Sequence, residues 1–274
     1  MTTSRSQDHD PGKILADAVA MATEAGELLR DGLKKEFSFQ FKGEVDIVTE
    51  MDRAAQDLIA QMIRKNYPGH GILAEEDLEY EGSSRYKWIV DPLDGTTNYA
   101  HRFPVFCISI GILYDEVPTC GVVHNPMTDE TFTAAIGQGA MLNGIPIHVS
   151  STANLATSLL GTGFPYQKRE ITDNNLSHFC ALTLLSQGIR RCGSAALDLC
   201  FVACGRLDGF WELHLKPWDV AAGVLIVSEA GGAVSDFSGN QTGIDGSEIL
   251  ATNGHIHSDM AEALILSRLG QGED

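Results

Sequence analysis

The sequence predicts an α+β protein of two closely joined halves, and three observations lead to this prediction. Residues 106–136 form short apolar segments separated by turn residues, a pattern typical of antiparallel strands. After about residue 150 the pattern changes to alternating strands and helices. The chain has 274 residues, 43% of them hydrophobic, so it can bury a sizeable core. We divide it into a disordered start at 1–11, an N-terminal half at 12–150 and a C-terminal half at 151–270.

The charge balance excludes some partners. Acidic residues outnumber basic ones by 37 to 19, which gives a formal net charge of −18. Such a surface repels nucleic acid and anionic lipid, so we expect direct binding to neither. The polar start carries no signal peptide and no apolar run approaches the roughly 20 residues of a membrane span, so we expect a cytoplasmic protein. The six cysteines show no metal-ligand spacing, and most of them are expected to be reduced packing residues.

A helix and a strand are expected first. Pro11, with Asp10 as N-cap, opens an apolar segment of helical period that ends at Gly32. Residues 37–41 alternate like a half-buried strand, and 42–43 form a turn.

A second helix follows the segment 46–52, Asp-Ile-Val-Thr-Glu-Met-Asp, and stops at 67–69, Tyr-Pro-Gly. Thr49 and Asp52 have the spacing of a capping box. On local grounds, capping is therefore the favoured role of Asp52.

Three consecutive carboxylates follow the short apolar strand at 71–74. Like charges this close repel one another unless water or a cation lies between them. Glu75 directly follows the strand and is expected to point inward, whereas Glu76 and Asp77 are expected to face water. A solvated acidic loop is the alternative interpretation.

The stretch 91–99, Asp-Pro-Leu-Asp-Gly-Thr-Thr-Asn-Tyr, is the strongest functional signal. Residues 87–90 are apolar enough for the end of a buried strand, and Pro92 is expected to stop strand pairing. Asp91 therefore falls at a strand end.

The rest of this stretch predicts a turn and the start of a helix. Asp94 and Gly95 allow the chain to reverse, and Thr96 with Thr97 opens a helix whose free N–H groups can bind an anion. Two carboxylates three residues apart beside such a terminus suit a divalent cation held against a phosphate oxygen. Bound cations would also offset the acidic charge near an anionic ligand.

This stretch has two other interpretations. An ordinary turn with Asp94 or Thr96 as N-cap needs no ligand. The aspartyl-phosphatase loop has a nucleophilic Asp two residues before a second Asp, but Pro92 holds that position here and cannot attack phosphorus. The second interpretation is therefore excluded.

The C-terminal half carries further acids at the ends of its elements. Glu212 falls near the end of a strand at 207–213, and Asp219 opens a helix at 217–230, where it could be a plain N-cap. The segment 190–195, Arg-Arg-Cys-Gly-Ser-Ala, precedes an apolar helix, and its glycine permits a close ligand or a tight helix entry. The remaining expected elements are a strand near Leu159, helices at 176–185 and 194–203, a strand at 233–234 and a helix at 260–269.

Together, Glu75, residues 91–96 and the segment 218–223, Trp-Asp-Val-Ala-Ala-Gly, resemble the metal-site motifs of the inositol monophosphatase family. Residues 46–52 match a third motif, and the similarity runs from about residue 12 to 268. The resemblance implies a layered α-β-α-β-α sugar-phosphatase fold with an antiparallel N-terminal sheet and a mixed C-terminal sheet. It also implies hydrolysis of phosphate monoesters that depends on two or three Mg²⁺ ions, with Mn²⁺ as a substitute.

The resemblance further assigns ligands to the ions. Glu75, Asp91 and the carbonyl of Leu93 would hold one ion, and Asp91, Asp94 and Asp219 a second. A third, looser ion would rely on Glu75.

The resemblance also implies catalytic and substrate-binding roles. Thr96 and Asp52 would orient and help deprotonate the attacking water, which overrides the local preference for capping by Asp52, and Glu75 counts among the catalytic groups. The amides of Gly95 and Thr96 would hold the phosphate. The substrate contacts would be Asp94, Gly193, Ser194, Ala195, Glu212 and Asp219.

Inositol 1-phosphate is the substrate that the resemblance favours. Fructose 1,6-bisphosphate, 3′-phosphoadenosine phosphates, histidinol phosphate and NADP are the alternatives, and Arg190 and Arg191 could favour a second anionic group. The resemblance also suggests a homodimer that Li⁺ inhibits. A hypothesis of another class is a regulatory or interaction protein whose phosphatase activity is incidental.

Overall fold

The computed structural model describes residues 10–34, 39–41, 47–166, 168–240 and 243–269. Helices and sheets alternate in five layers, α-β-α-β-α, which confirms the expected fold. Three apolar clusters fill the spaces between the layers.

The first layer contains two helices, α1 (Pro11–Gly32) and α2 (Glu50–Asn66). Asp10 caps α1 as expected, because its carboxylate accepts from the N–H of Gly12 at 3.1 Å. Pro11, assigned to the disordered start, is thus the first helical residue, and residues 1–9 of that start lie outside the described residues. Both helices bury apolar side chains against one face of the large sheet.

The large sheet has eight strands and forms the second layer. The strands are β3 (Gly71–Ala74), β4 (Leu78–Tyr80), β5 (Tyr86–Asp94), β6 (Cys107–Tyr114), β7 (Val117–Asn125), β8 (Glu130–Ala135), β9 (Ala140–Leu142) and β10 (Ile145–Ile147). All neighbours are antiparallel except β3 and β5, which are parallel. The order β10-β9-β8-β7-β6-β5-β3-β4 follows the chain apart from one exchange at the edge.

A separate pair, β1 (Phe39–Phe41) and β2 (Ile47–Thr49), is antiparallel and leads directly into α2. The expected strand at 37–41 is therefore present from Phe39 onward. Its first two residues, the turn at 42–43 and Asp46 of the third motif lie outside the described residues.

The smaller sheet, the fourth layer, is mixed as expected. The strands are β11 (Leu159–Thr162), β12 (Gly188–Arg190), β13 (Gly209–Leu213), β14 (Ala233–Ser235) and β15 (Glu248–Thr252). Their order is β12-β11-β13-β15-β14, where β11 is parallel to both of its neighbours and β15 is antiparallel to both of its neighbours. Strand β15 was not predicted from the sequence, although its apolar residues stand between turn residues.

Two apolar helices, α5 (Ala195–Ala203) and α6 (Pro217–Glu229), fill the layer between the sheets. Helices α4 (Leu176–Leu185) and α7 (His257–Leu269) cover the outer face of the small sheet. A one-and-a-half-turn helix, α3 (Thr96–Ala100), follows β5.

Helix α6 packs against a part of the large sheet where glycines leave no side chains. Gly111 and Gly121 face each other across β6 and β7. A Cβ at Gly111 would lie 2.7 Å from the Cβ of Ala221, and one at Gly121 would lie 2.9 Å from the carbonyl oxygen of Ala222. The small residues at the start of α6 therefore allow the close approach that their sequence suggested.

The division near residue 150 stays a prediction, but α6 makes the two halves share a core. None of the helices in the described part of the chain is long and apolar enough to cross a membrane. All six cysteines are free thiols.

Candidate active site

Three carboxylates from both halves converge between the sheets. Asp91, Asp94 and Asp219 each place one oxygen within 4.8 Å of the others, the arrangement of a metal site. Asp91 is 2% exposed and Asp94 is 9% exposed. Carboxylate oxygens are the ligands that Mg²⁺ prefers in proteins, so the donor set fits that ion.

Strand β5 positions Asp91 and Asp94. The pairing of β5 with β6 shifts between Asp91, opposite Ser109, and Asp94, opposite Cys107. Pro92 was expected to end the pairing, but the strand only bulges and then pairs again, because a bulge tolerates a residue without an N–H group. Within the bulge, the N–H of Leu93 donates to Oδ1 of Asp91 at 2.9 Å. The bulge turns both acids toward the same space.

Asp219 reaches this space because of how α6 begins. Ser109 donates to the carbonyl of Trp218 at 3.2 Å, so the strand residue opposite Asp91 holds the residue before Asp219. The interpretation of Asp219 as a plain N-cap is wrong. Asp219 is the third helical residue, and its carboxylate accepts from the N–H of Lys216 at 2.7 Å. Its second oxygen remains available to the cluster.

Asp94 is tied to the start of α5. The hydroxyl of Ser194 donates to Oδ2 of Asp94 at 2.6 Å, and the N–H of Ala196 donates to the same oxygen at 2.8 Å. The Ser194 hydroxyl also caps α5 by accepting from the N–H of Leu197. Ser194 lines the cavity as expected, but its hydroxyl fixes Asp94, a contact that sequence analysis did not find.

Asp52 and Thr96 form the expected hydrogen-bonded pair. The Thr96 hydroxyl lies 3.0 Å from Oδ1 of Asp52 and 3.1 Å from the carbonyl oxygen of Leu93, and it can donate to either. Oδ2 of Asp52 accepts from the N–H and the hydroxyl of Thr49 in the capping box. Asp52 therefore caps α2 and orients Thr96 at the same time.

Gly95 starts α3 in a left-handed conformation, with φ of 95°, which a glycine adopts without strain. This turn carries the chain from β5 into α3 and leaves the first N–H groups of the helix without intrahelical partners.

The cavity at the cluster has a volume of about 420 Å³. Every expected site residue except Asp52 lines it, and Asp52 lies behind Thr96. Glu75 follows β3, whose Ala74 pairs with Val90, so it stands beside Asp91 without joining the three-oxygen group. The expected residues in the lining are Glu75, Asp91, Leu93, Asp94, Gly95, Thr96, Gly193, Ser194, Ala195, Glu212 and Asp219.

The electrostatics of the cluster favour a bound cation. Burial and the nearby charge of Glu75 raise the pKa of Asp91 well above its ordinary value. Burial, and then the charge of Asp94, raise the pKa of Asp219 to about 7. Burial also raises the pKa of Asp94, although hydrogen bonds from Ser194 and Ala196 oppose this. A divalent cation removes the repulsion that produces part of these shifts.

The far end of the cavity is also acidic. Glu212 on β13 is 8% exposed, and burial followed by the charge of Asp198 raises its pKa well above the ordinary value. A Cβ at Gly163 would lie only 2.0 Å from its Oε1, so a larger residue there would displace this carboxylate. Asp198 also lines the cavity and was not predicted, although an acid inside the apolar helix at 194–203 is a usable signal.

The five layers and the acid-lined cavity between the sheets define a sugar-phosphatase fold. The inositol monophosphatase family model matches residues 10–269. An inositol-1-monophosphatase of Synechocystis sp. is 52% identical over 220 residues, which are 80% of this chain and 77% of that protein. Nus factor SuhB of Escherichia coli is 42% identical over 246 residues, covering 89% of this chain and 92% of that protein.

A solved structure of an inositol monophosphatase from Anabaena (Nostoc) sp. superposes with a TM-score of 0.86 at 46% identity, covering 93% of this chain and 96% of that one. The chain therefore belongs to the inositol monophosphatase family, and it is a phosphatase by enzyme class.

Proposed function

We propose that the protein is a Mg²⁺-dependent phosphomonoesterase that acts by direct in-line attack of water on phosphorus. The observation that carries the proposal is the group of three carboxylate oxygens within 4.8 Å of one another, two from β5, where Asp91 is buried, and one from the partly buried Asp219 of α6. So many acids at one buried point are costly unless cations hold them together.

The residues divide between two ions and a third, looser one. Glu75, Asp91 and the carbonyl of Leu93 would hold one ion, with Asp91 shared by a second that also uses Asp94 and Asp219. When bound, Mg²⁺ lowers the pKa of the attacking water and offsets the charge of the phosphate, and Mn²⁺ can replace it. The third ion would use Glu75.

Asp52 and Thr96 prepare the water. The Asp52 carboxylate and the Leu93 carbonyl both attract the single hydroxyl hydrogen of Thr96. The oxygen lone pairs of Thr96 then face the cavity and accept a hydrogen from the water, which fixes its direction of attack. Glu75, at the cavity wall, adds negative charge that favours removal of that proton.

The phosphate and the alcohol would bind in adjoining parts of the cavity. The N–H groups of Gly95 and Thr96, at the start of α3, would hold phosphate oxygens. Gly193, Ala195 and Glu212 line the part that would receive the alcohol, the alcohol end, and the other proposed substrate contacts, Ser194, Asp94 and Asp219, belong to the ion cluster or touch it. Glu212 accepts hydrogen bonds from hydroxyl groups, so a polyol such as that of inositol 1-phosphate fits best.

Substitution of the acids tests the proposal. Asp91→Asn or Asp94→Asn should abolish hydrolysis of inositol 1-phosphate in the presence of Mg²⁺, because each removes a negative ligand without changing the side-chain shape. Circular dichroism should show that both variants are folded, and Asp57→Asn on the exposed side of α2 is the matched control. Wild-type rates from either Asp91→Asn or Asp94→Asn would refute the proposal.

The substrate is tested separately. Rates on inositol 1-phosphate, fructose 1,6-bisphosphate, a 3′-phosphoadenosine phosphate, histidinol phosphate and NADP should be highest for inositol 1-phosphate. A higher rate on a bisphosphate would assign the exposed Arg190 and Arg191 to a second anionic group.

A second candidate function is a regulatory or interaction role. It is favoured by the similarity to a protein named Nus factor SuhB and by the net charge of −18, which suits a basic partner protein. A pull-down with Asp91→Asn distinguishes the two functions, because an interaction role survives the loss of chemistry.

The family relationship supports four further proposals. The protein would act as a homodimer in the cytoplasm, without direct contact with nucleic acid or membrane. Li⁺ would inhibit it by competing for an ion site, and undiminished turnover at millimolar Li⁺ would contradict this.

A further inference from the structure

Asp198 is an acid of the cavity to which neither the motifs nor the ion site gives a role. It lies in the first turn of α5 and is 1% exposed, yet it belongs to the cavity lining. Its Oδ1 is buried and has no hydrogen-bond partner among the residues that the structure describes. A buried polar oxygen without a partner costs free energy, so such a group usually meets a ligand or water.

Two glycines lie near Asp198 and Glu212. Gly161 and Gly163, two residues apart near the end of β11, face the same side of the strand. A Cβ at Gly161 would lie 2.8 Å from the Leu207 side chain and 3.5 Å from Oδ1 of Asp198, and one at Gly163 would lie 2.0 Å from Oε1 of Glu212. Asp198 and Glu212 therefore lie near neighbouring positions of one strand, close enough that the charge of Asp198 raises the pKa of Glu212.

The backbone of Asp198 is linked to the ion cluster through Ser194. Its N–H donates to the carbonyl of Ser194 at 3.0 Å, and the Ser194 hydroxyl holds Asp94. The same short turn of α5 therefore joins an acid of the ion cluster to the acid at the alcohol end. A group bonded to the phosphorus would reach Asp198 and Glu212 with a fixed orientation.

We propose that Asp198 is a specificity-determining residue whose unpartnered oxygen binds a hydroxyl group of the substrate alcohol, next to a second hydroxyl bound by Glu212. The inference rests on the proposed phosphomonoesterase function. The pair of acids selects substrates with a polyhydroxylated alcohol, because a site that binds a hydroxyl group discriminates strongly against analogues that lack it.

The charge state of Asp198 is compatible with this role. Burial raises its pKa to about 8, although the neighbouring thiol of Cys192 and the charge of Arg191 act in the opposite direction. A carboxyl that is mostly neutral at pH 7 can donate a hydrogen bond as well as accept one, which suits a hydroxyl partner.

A comparison of two substrates tests the inference. Inositol 1-phosphate offers hydroxyl groups next to its ester, whereas p-nitrophenyl phosphate offers none. The ratio of their kcat/KM values, measured on the Mg²⁺-loaded enzyme, should fall about tenfold in Asp198→Ala, the size expected for one hydrogen bond. Asp198→Asn, which keeps the shape and one oxygen, should show a smaller fall and serves if the alanine variant does not fold.

Substitution of Cys192, whose thiol neighbours Asp198, is the matched control. If Asp198 only anchored the loop at Cys192, then Cys192→Ala would lower both activities as Asp198→Ala does. We expect Cys192→Ala to leave the substrate ratio unchanged. Equal losses on both substrates in the Asp198 variants would overturn the inference. An inactive wild-type enzyme on both substrates would instead overturn the proposed function, so the two failures are distinguishable.

Discussion

Asp52 shows how one carboxylate serves two hydrogen-bonding networks. One oxygen caps α2 through Thr49, and the other accepts from Thr96 beside the cavity. Local sequence predicts the first role from the capping-box spacing. It cannot predict the second, because Thr96 is 44 residues away and only the packed fold brings the two side chains together.

The pKa of Asp52 predicts an acid limb in the pH profile. Burial raises this pKa to about 6, against hydrogen bonds from Thr49 and Thr96 that lower it. Above pH 6 the carboxylate orients the Thr96 hydroxyl, and below pH 6 it is protonated. We therefore expect kcat/KM for inositol 1-phosphate to fall as the pH decreases through about 6.

The variant Asp52→Asn checks this assignment. It should lower kcat/KM at pH 7.5 by roughly 100- to 10,000-fold, the range of a lost general base, and it should lose the acid limb. An acid limb that persists at the same pH in Asp52→Asn would assign it to another group.

Asp94, Asp198 and Asp219 mark the limit of motif reading at this scale. Asp94 and Asp219 were predicted as site residues. Their hydrogen-bond partners, Ser194, Ala196 and Lys216, were not predicted. Backbone N–H donors carry no sequence signature, so hydrogen bonds such as that from Ala196 to Asp94 emerge only from the folded chain.

At the scale of elements, the start of α6 depends on the glycines beneath it. Gly111 and Gly121 give the large sheet a surface without side chains where Ala221 and Ala222 make contact. The sequence of α6 indicated a close approach by some backbone, but not which strands supplied it. Helical and strand periods predicted most elements, whereas β15 and the β9–β10 pair were missed because three to five residues show too little of a period.

Gly111→Ala should therefore disturb both stability and the site. The new methyl group would lie 2.7 Å from the Cβ of Ala221, so α6 must shift. We expect a loss of about 1–3 kcal/mol in the free energy of unfolding, measured with guanidinium, as for an overpacked core. Because α6 carries Asp219, the Mg²⁺ concentration needed for half-maximal activity should rise.

Gly12→Ala is the control for this substitution. Gly12 lies in α1, and a Cβ there meets only Asp10 at 3.5 Å, an ordinary contact. Its unfolding free energy should change little or increase, since alanine favours helix. Equal stability of Gly111→Ala and wild type would show that α6 does not depend on this contact.

For the whole molecule, the layers explain why the ion cluster lies between the halves. The family resemblance predicted all five layers, and the structure agrees. The expected boundary near residue 150 gives no hint that α6, from the second half, packs on the sheet of the first. That arrangement comes from long-range packing, which no local pattern encodes.

Mg²⁺ should stabilise the folded protein, and the effect should grow with pH. The folded-state pKa of Asp219 is about 7, above its ordinary 3.8, so without metal its contribution to stability is full below about pH 4 and is lost as pH rises through 7. Mg²⁺ binds the ionised form and removes this loss. We expect Mg²⁺ to raise Tm by roughly 5 °C at pH 7.5 and clearly less at pH 5.

Thermal unfolding with and without Mg²⁺ at both pH values measures this effect. Asp219→Asn should reduce the Mg²⁺-dependent shift, while Asp57→Asn, exposed on α2, should retain it. A shift of the same size at pH 5 and pH 7.5 would contradict the prediction.

The position of α6 also has a consequence for biosynthesis. When the first 150 residues have left the ribosome, Glu75, Asp91 and Asp94 have been made, but Asp219 has not. The nascent chain therefore lacks one proposed ligand until residue 219 has been translated, and the ions that we propose would complete their coordination only after the second sheet has begun to form.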